Sequence, residues 1–156
     1  MAIEHAKQHL KHWNLDSQVL EFDSSSATVL EAAQALNTEP KRIAKTLAFR
    51  YNDQTLLVVA AGDARVDNAK FKNTFNLKAR MLSPEETLES VGHAVGGVCP
   101  FGVKEGCVVT LDVSMKRFES VYPACGSSNS AIHMDLETLE KTSQSTQWVD
   151  VCKDWD

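Results

Sequence analysis

The sequence predicts an α+β domain with a curved, mixed and partly barrel-like sheet that is surrounded by helices. Three observations support this class: predicted strands outnumber predicted helices, several strands follow one another directly, and helices interrupt them at irregular intervals. A Rossmann fold is disfavoured, because a regular strand–helix alternation with a glycine-rich first turn is absent. The length of 156 residues is typical of one domain, and no linker or repeat divides it, so we predict a single domain over 1–156.

Helices are predicted where apolar residues recur at helical spacing. This spacing predicts an amphipathic first helix over 2–13. Thr28 and Ser83 each precede a glutamate by three residues, which is the capping-box pattern, so a helix is predicted to begin after each of them. Two further helices are predicted over 67–75 and 137–143.

Strands are predicted where β-branched, aliphatic and aromatic residues run between turn signals. The best-defined pair is a hairpin, Thr46–Tyr51 and Thr55–Ala61, around a short polar turn. The other predicted strands are 17–22, 79–82, 107–113, 120–124, 131–134 and 148–152.

Composition excludes several classes of protein. Hydrophobic residues make up 43% and charged residues 24%, as in ordinary packed domains. The longest purely apolar run, Leu56–Ala61, is far shorter than the roughly 20 residues that span a bilayer, and the first residues contain no apolar signal core, so we predict a cytoplasmic protein without membrane association. The four cysteines form no CxxC pair, and we predict reduced thiols, no metal and no cofactor.

Charge is distributed unevenly along the chain. The net charge is −5, yet residues 41–80 carry nine basic and three acidic residues, a net of +6. A local positive field can attract a polyanion whatever the total charge, although a lysine-rich surface without a partner is an equally open interpretation. The segment has few aromatics, so contact with a phosphate backbone is favoured over base stacking. The candidates for that contact are Lys41, Arg42, Lys70, Lys72 and Lys78.

Lys45 is the first residue that could carry chemistry. It shares one side of its predicted strand with Leu47 and Phe49, so its ammonium would project from an apolar face. Such a lysine either serves an anionic ligand or simply extends to solvent at the strand edge. Both interpretations stay open at this point.

Two polar loops are the other candidates. The segment 93–106 forms no regular element, and its glycines in Gly96–Gly102 permit close approach of a ligand and could direct amides at a developing oxyanion. The turn Gly126–Ser130 offers several hydroxyl and amide groups, and His133 follows it, either as a base or as a structural residue. No catalytic triad, phosphate-binding loop or HExxH pattern is present, and a dyad of Cys99 with His93 is a weaker alternative.

Four segments of the chain, taken in order, resemble the YbaK/prolyl-tRNA synthetase-associated domain family. They are Arg42–Phe49, Ala61–Asp67, Gly96–Gly102 and Gly126–Ile132, and the resemblance covers about residues 20–152. Members are freestanding or synthetase-inserted α+β domains that hydrolyse mischarged aminoacyl-tRNA. The resemblance therefore implies a freestanding trans-editing deacylase that acts on a small amino acid, on tRNA-Pro or a related tRNA, and that contacts the acceptor end and a synthetase.

The resemblance also implies roles for particular residues. Lys45 and Gly97 are the expected catalytic residues, Lys45 holding a phosphate or the ester carbonyl and the amides around Gly97 facing the oxyanion, while His133 has no counterpart across all branches. Thr46 and the second loop vary within the family with the amino acid that is edited. A non-catalytic tRNA- or synthetase-binding module of the same fold is the alternative function. The expected substrate-binding residues are Phe22, Thr46, Asp63, Gly96, Val98, Cys99, Pro100, Phe101, Gly102, Gly126, Ser127, Ser128, Asn129 and Ser130.

Overall fold

The computed structural model describes residues 2–155 and confirms the α+β class. The helices are α1 (Ala2–Lys11), α2 (Val29–Leu36), α3 (Asn68–Phe75), α4 (Pro84–Val91) and α5 (Leu136–Ser143). The strands are β1 (Leu20–Glu21), β2 (Ile43–Tyr51), β3 (Gln54–Ala61), β4 (Arg65–Val66), β5 (Cys107–Asp112), β6 (Ser120–Pro123), β7 (Ser130–Ala131), β8 (Met134–Asp135), β9 (Gln147–Val149) and β10 (Cys152–Lys153).

The main sheet is mixed and has six strands in the order β8-β6-β2-β3-β5-β9. The β2–β3 hairpin is antiparallel along its whole length, whereas β5 joins β3 in parallel and β9 joins β5 in parallel. On its other side β2 pairs with β6 only through Ile43 and Ala44. The two strands diverge beyond that point, and the sheet is left with an opening beside the rest of β2.

The core lies between the centre of the sheet and the helices that cover it. Residues 55–61 of β3 are all buried, which explains why this strand is a continuous run of threonine and aliphatic residues rather than an alternating one. Phe49 of β2 packs on Phe71 of α3, with ring centroids 4.9 Å apart, and Phe71 packs on Phe75. None of the helices within residues 2–155 is long and apolar enough to cross a membrane.

Both predicted capping boxes are confirmed. The hydroxyl of Thr28 accepts a hydrogen bond from the N–H of Glu31, and the Glu31 carboxylate accepts one from the N–H of Thr28 in return. Ser83 and Glu86 make the same reciprocal pair at the start of α4. These caps satisfy N–H groups that have no partner in the first helical turn, so the signals are local and were readable from sequence.

Several predicted elements differ from the structure. Residues 17–22 contain part of a short 3₁₀ helix, Asp16–Gln18, and then only the two-residue β1. Residues 79–82 form no strand, because only Met81 bridges to β2. The predicted strands 131–134 and 148–152 are each divided into two short strands, and the first helix ends at Lys11.

Candidate active site

A cavity of about 170 Å³ lies at the opening beside β2. The segment 26–29 at the start of α2, the loop before β5 and the ends of β6 and β7 enclose it. Most of the wall is made of small or aliphatic side chains. They include Ala44, Ala48, Val98, Ala124 and Ala131.

The edge of β2 is open where it meets the cavity. The carbonyl of Ala48 accepts a hydrogen bond of 3.0 Å from the N–H of Leu82 on the side away from β3. Backbone groups of residues two apart in a strand point to the same side, so the N–H and C=O of Thr46 also point away from β3. Thr46 lines the cavity, and its buried hydroxyl has no hydrogen-bond partner within residues 2–155. The site therefore offers an unpaired hydroxyl at the predicted specificity position.

Lys45 lies opposite Ala60 of β3 and lines the same cavity. Its ammonium donates hydrogen bonds to the carbonyls of Ala64 and Gly62, the second at 3.4 Å. An ammonium has three N–H donors, so one remains for a ligand. Burial lowers the pKa of Lys45 below its ordinary value, and the nearby charge of Asp63 acts against that shift.

Asp63 holds an arginine rather than facing the cavity. Its carboxylate accepts two hydrogen bonds from Arg117, of 2.6 and 3.0 Å, and this guanidinium lowers the pKa of Asp63. Asp63 is not among the residues that line the cavity within the described chain, contrary to the expectation of substrate contact. The ion pair instead fixes the turn whose carbonyls, at Gly62 and Ala64, hold Lys45.

The first half of the glycine-rich loop faces the cavity. Gly96 and Val98 line it, and Gly96 has a φ of 100°, a left-handed conformation that favours glycine. Neither residue's N–H has an acceptor within residues 2–155. The N–H of Gly97, by contrast, donates to the carbonyl of Ala94 at 3.0 Å. The predicted oxyanion donor at Gly97 is thus already occupied, and the free amides belong to its two neighbours.

Gly97 has a packing role that only glycine can fill. Its carbonyl accepts a hydrogen bond of 3.0 Å from the N–H of Gly126. A Cβ atom at Gly97 would lie 2.6 Å from the backbone nitrogen of Ser127, far inside contact distance. The two glycine-containing loops are therefore in direct contact at this point.

The second half of the loop leaves the cavity and enters the core. Cys99 and Phe101 have no exposed surface, and Pro100 is buried. Gly102 lies against α1, where a Cβ would be 2.4 Å from the carbonyl oxygen of His5. None of these four residues of the loop is among the described lining of the cavity, although all were expected to bind substrate. These residues pack on the side of the loop that faces away from the cavity.

The turn 126–130 is mostly tied to its neighbours. The Ser127 hydroxyl lies 2.9 Å from Oδ1 of Asn129 and 2.7 Å from the Ser130 hydroxyl. The Asn129 amide donates a hydrogen bond to the carbonyl of Phe22. The carbonyl of Ser128 accepts one from the N–H of Ser26, which precedes α2. Of the five residues in the turn, only Ser130 lines the cavity, so the others, like Phe22, act as its frame.

His133 is exposed and lies outside the cavity lining. Its Nε2 is 2.7 Å from the Ser120 hydroxyl, and its ring stacks on Tyr122. Nothing places it beside Lys45, so the structure gives no support for a role as catalytic base. Within residues 2–155, no group of three or more His, Cys, Asp or Glu side chains is arranged to hold a metal ion.

The five residues predicted to contact phosphate lie in different environments. Lys70 donates to the carbonyl of Cys152 at 2.9 Å and lies 3.2 Å from Asp150. Lys72 and Lys78 are exposed. The remaining two, Lys41 and Arg42, precede β2 beside the cavity, and Arg42 is held by Ser120.

Sequence reasoning missed part of the cavity wall. Ser26, Val29, Met81, Val95 and Tyr122 all line it. The capping box at Thr28 shows where α2 begins, yet nothing local indicates that this helix start lies against β2 and β7. Such residues are brought together by long-range packing, and a single sequence carries little signal for that.

These features define a class: a small α+β domain with a half-open sheet, an apolar cavity, one lysine and two glycine-containing loops. The aminoacyl-tRNA editing domain model matches residues 23–142. The chain therefore belongs to the aminoacyl-tRNA editing domain family.

Relatives and solved structures agree with that assignment. The chain is 52% identical over 157 residues to the uncharacterized protein YwhH of Bacillus subtilis (strain 168), with full coverage of both. It is 31% identical over 125 residues to proline–tRNA ligase of Geobacillus sp. (strain WCH70), spanning 80% of this chain but only 22% of the ligase. A crystal structure described as a candidate trans-editing enzyme for prolyl tRNA synthetase superposes with a TM-score of 0.88 at 26% identity, covering 97% of each chain.

Proposed function

We propose that this protein hydrolyses the ester bond of mischarged aminoacyl-tRNA, with a small aminoacyl group held in the cavity beside Lys45. The observation that carries the proposal is the content of the cavity wall. Within the described residues it contains Lys45 as a cation, but no histidine, carboxylate or cysteine. Such a wall suits a reaction that needs positioning and charge stabilisation rather than a protein nucleophile.

The chemistry follows from the substrate. An aminoacyl ester is already activated, so a water oxygen can attack the carbonyl carbon directly, after which the bond to the ribose oxygen breaks and that oxygen takes a proton. The free N–H groups of Gly96 and Val98 and the third donor of Lys45 are suited to stabilise the oxyanion that forms in between. One such donor is worth about 10²–10³ in rate. The substrate's own 2′-hydroxyl or amine would accept the proton of the water.

The size of the wall residues supports a small substrate. The cavity of about 170 Å³ that Ala44, Ala48 and Val98 border is sufficient for a small aliphatic or hydroxyl side chain next to the ester group. The unpaired hydroxyl of Thr46 adds a polar contact for a hydroxyl or thiol group. Discrimination among small amino acids should be modest, because one methyl or hydroxyl in an apolar pocket gives about 10–200-fold. The likeness to proline–tRNA ligases supports tRNA-Pro as the first acceptor to test.

The test is a deacylation panel on tRNA-Pro charged with alanine, serine, cysteine, threonine or tyrosine. We expect hydrolysis of one or more of the small esters and none of the tyrosyl ester, and we expect Lys45→Ala to reduce the rate by about 10²-fold or more. Lys104→Ala is the matched control, since the Lys104 ammonium also donates to a carbonyl, that of Glu89, but outside the cavity.

Two results would contradict the proposal. Saturable tRNA binding with no release of any amino acid would favour the non-catalytic binding module. Rapid removal of tyrosine would instead exclude the small cavity as the site that holds the aminoacyl group.

A further inference from the structure

A cluster of stacked side chains lies on the surface beside the cavity. The rings of Tyr122 and His133 are parallel within 15°, with centroids 4.5 Å apart. The guanidinium of Arg42 lies over the same Tyr122 ring, 5.8 Å from its centroid. We call these three residues and Ser120, which links them, the stacking platform.

Ser120 fixes the geometry of the platform. Its hydroxyl accepts a hydrogen bond of 2.8 Å from Nη2 of Arg42 and lies 2.7 Å from Nε2 of His133. Its carbonyl accepts a second hydrogen bond from Nε of Arg42, at 3.2 Å. A planar cation and an imidazole are thus both held on a β6 residue, so little side-chain freedom is lost when a ligand binds.

The platform is continuous with the cavity. Tyr122 lines the cavity wall, and Ile43, which directly follows Arg42, lines it too. His133 is exposed, and within residues 2–155 its ring has only Tyr122 as an aromatic neighbour. Its other face is therefore open to a flat ligand at the edge of the cavity.

The charges of the platform suit an anionic chain. Arg42 has five N–H donors, of which two are used by Ser120, so three remain for a phosphate. Lys41 is next to it, and its ammonium lies 3.7 Å from the Glu39 carboxylate. The carboxylate of Asp135, which pairs across from Ser120, is engaged by the N–H of Thr138 at the start of α5.

We infer that the stacking platform binds the terminal nucleobase of the acceptor end, stacked on the open face of His133, with Arg42 and Lys41 beside the adjoining phosphate. This inference rests on the proposed function, since the ester and that base are attached to the same ribose. When the aminoacyl group occupies the cavity, the base attached to the same ribose lies at the edge of the cavity, where Tyr122 and His133 are located. Sequence analysis favoured backbone contact over base stacking because it considered the basic segment 41–80, and Tyr122 and His133 lie outside that segment.

The experiment measures binding of the uncharged trinucleotide CCA by NMR titration, and so involves no chemistry. We expect His133→Ala to weaken binding about fivefold or more, the range for loss of one stacked base. We expect His133→Phe to bind like the native protein, because it keeps a ring but loses the contact with Ser120. A trinucleotide that lacks the terminal base should bind weakly and equally to all three proteins.

His12→Ala is the matched control, since His12 is an exposed histidine next to an aromatic ring, that of Trp13, in the turn after α1. An unchanged affinity in His133→Ala would overturn the inference, and so would equal losses in His133→Ala and His133→Phe, which would indicate a structural role through Ser120. If CCA binding is insensitive to His133 while deacylation proceeds, the platform is excluded and the proposed function is untouched.

Discussion

The glycine-rich loop has two sides with opposite chemistry. On one side, Gly96 and Val98 border an open cavity that Lys45 also lines, and their N–H groups have no acceptor within residues 2–155. On the other side, Nε2 of His93 lies 3.6 Å from the Cys99 thiol, and both residues have no exposed surface. Burial raises the pKa of Cys99 to about 12 and lowers the pKa of His93, so neither ion is favoured there. A thiol beside an imidazole is therefore not a nucleophile when both are fully buried, and the hydrolysis proposed for the cavity requires neither group.

The largest expected effect separates these two sides directly. Lys45→Ala should reduce deacylation by about 10²-fold or more, because it removes a charged donor at the proposed reaction centre. Cys99→Ala should leave the rate near the native value, because the thiol does not reach the cavity. The measurement is single-turnover deacylation of each variant, with thermal unfolding as a check of folding. A large loss in Cys99→Ala with an intact fold would restore the thiol mechanism.

The next effect concerns the boundary between the loops. Gly97→Ala would place a methyl group 2.6 Å from the Ser127 nitrogen, and backbone cannot yield as a flexible side chain can. We expect a loss of about 1–3 kcal/mol of stability from overpacking, together with reduced deacylation because Gly96 and Val98 are displaced. Sequence analysis had assigned Gly97 to the oxyanion site, whereas an added methyl group there would clash with the neighbouring loop.

Gly106→Ala is a useful control for Gly97→Ala. No atom lies within 4 Å of a methyl group added at Gly106, although its φ of 90° is unfavourable for alanine. It should therefore lose some stability while the deacylation rate of the folded protein stays native. Native activity and stability in Gly97→Ala would show that the two loops separate freely.

The fold and the order of its elements could be predicted because their signals are local. The capping box at Thr28 and the hairpin around residues 52–54 depend on neighbours in sequence, and both are present. The sequence does not predict which loop residues face the cavity. Val98 and Cys99 are adjacent and both apolar, and only the fold of the loop directs one to the cavity and the other to the core. Tyr122 was missed for the same reason, since its place beside β2 depends on strand pairing at Ile43.

A smaller expected effect is the pH dependence of stability that comes from His93, on the buried side of the loop. The Nε2 of His93 donates to the carbonyl of Phe101 at 2.7 Å, while its buried Nδ1 has no partner within residues 2–155. The lowered pKa of His93 means that the unfolded chain binds more protons than the folded one below the ordinary value of about 6.5. Stability should therefore fall as pH drops from 7.5 to 5.5.

The comparison for this pH effect is His93→Gln, which keeps a donor for Phe101 but does not titrate. Urea unfolding midpoints at the two pH values should fall further in the native protein than in the variant. The deacylation rate per folded molecule should show no such difference, since His93 is outside the cavity. Equal pH dependence in both proteins would mean that His93 is protonated as easily when folded as when unfolded.

The smallest expected effect lies far from both sides of the loop, on the exposed lysines of the basic segment. Lys72 and Lys78 are exposed, whereas the ammonium of Lys70 is already bound to Cys152 and Asp150. Replacing Lys72 and Lys78 together by alanine should lower tRNA affinity. It should also reduce the slope of the logarithm of the binding constant against the logarithm of salt concentration by up to about 0.9 per lost phosphate contact. Lys70→Ala should change that slope less, because its charge is partly neutralised. Deacylation at saturating tRNA should be native in all of these variants, since phosphate contacts position the substrate and do not react. The measurement is a series of binding titrations between about 50 and 200 mM salt. If the double variant has the same slope as the native protein, the tRNA backbone binds elsewhere. The positive charge of residues 41–80 would then have no role in binding tRNA.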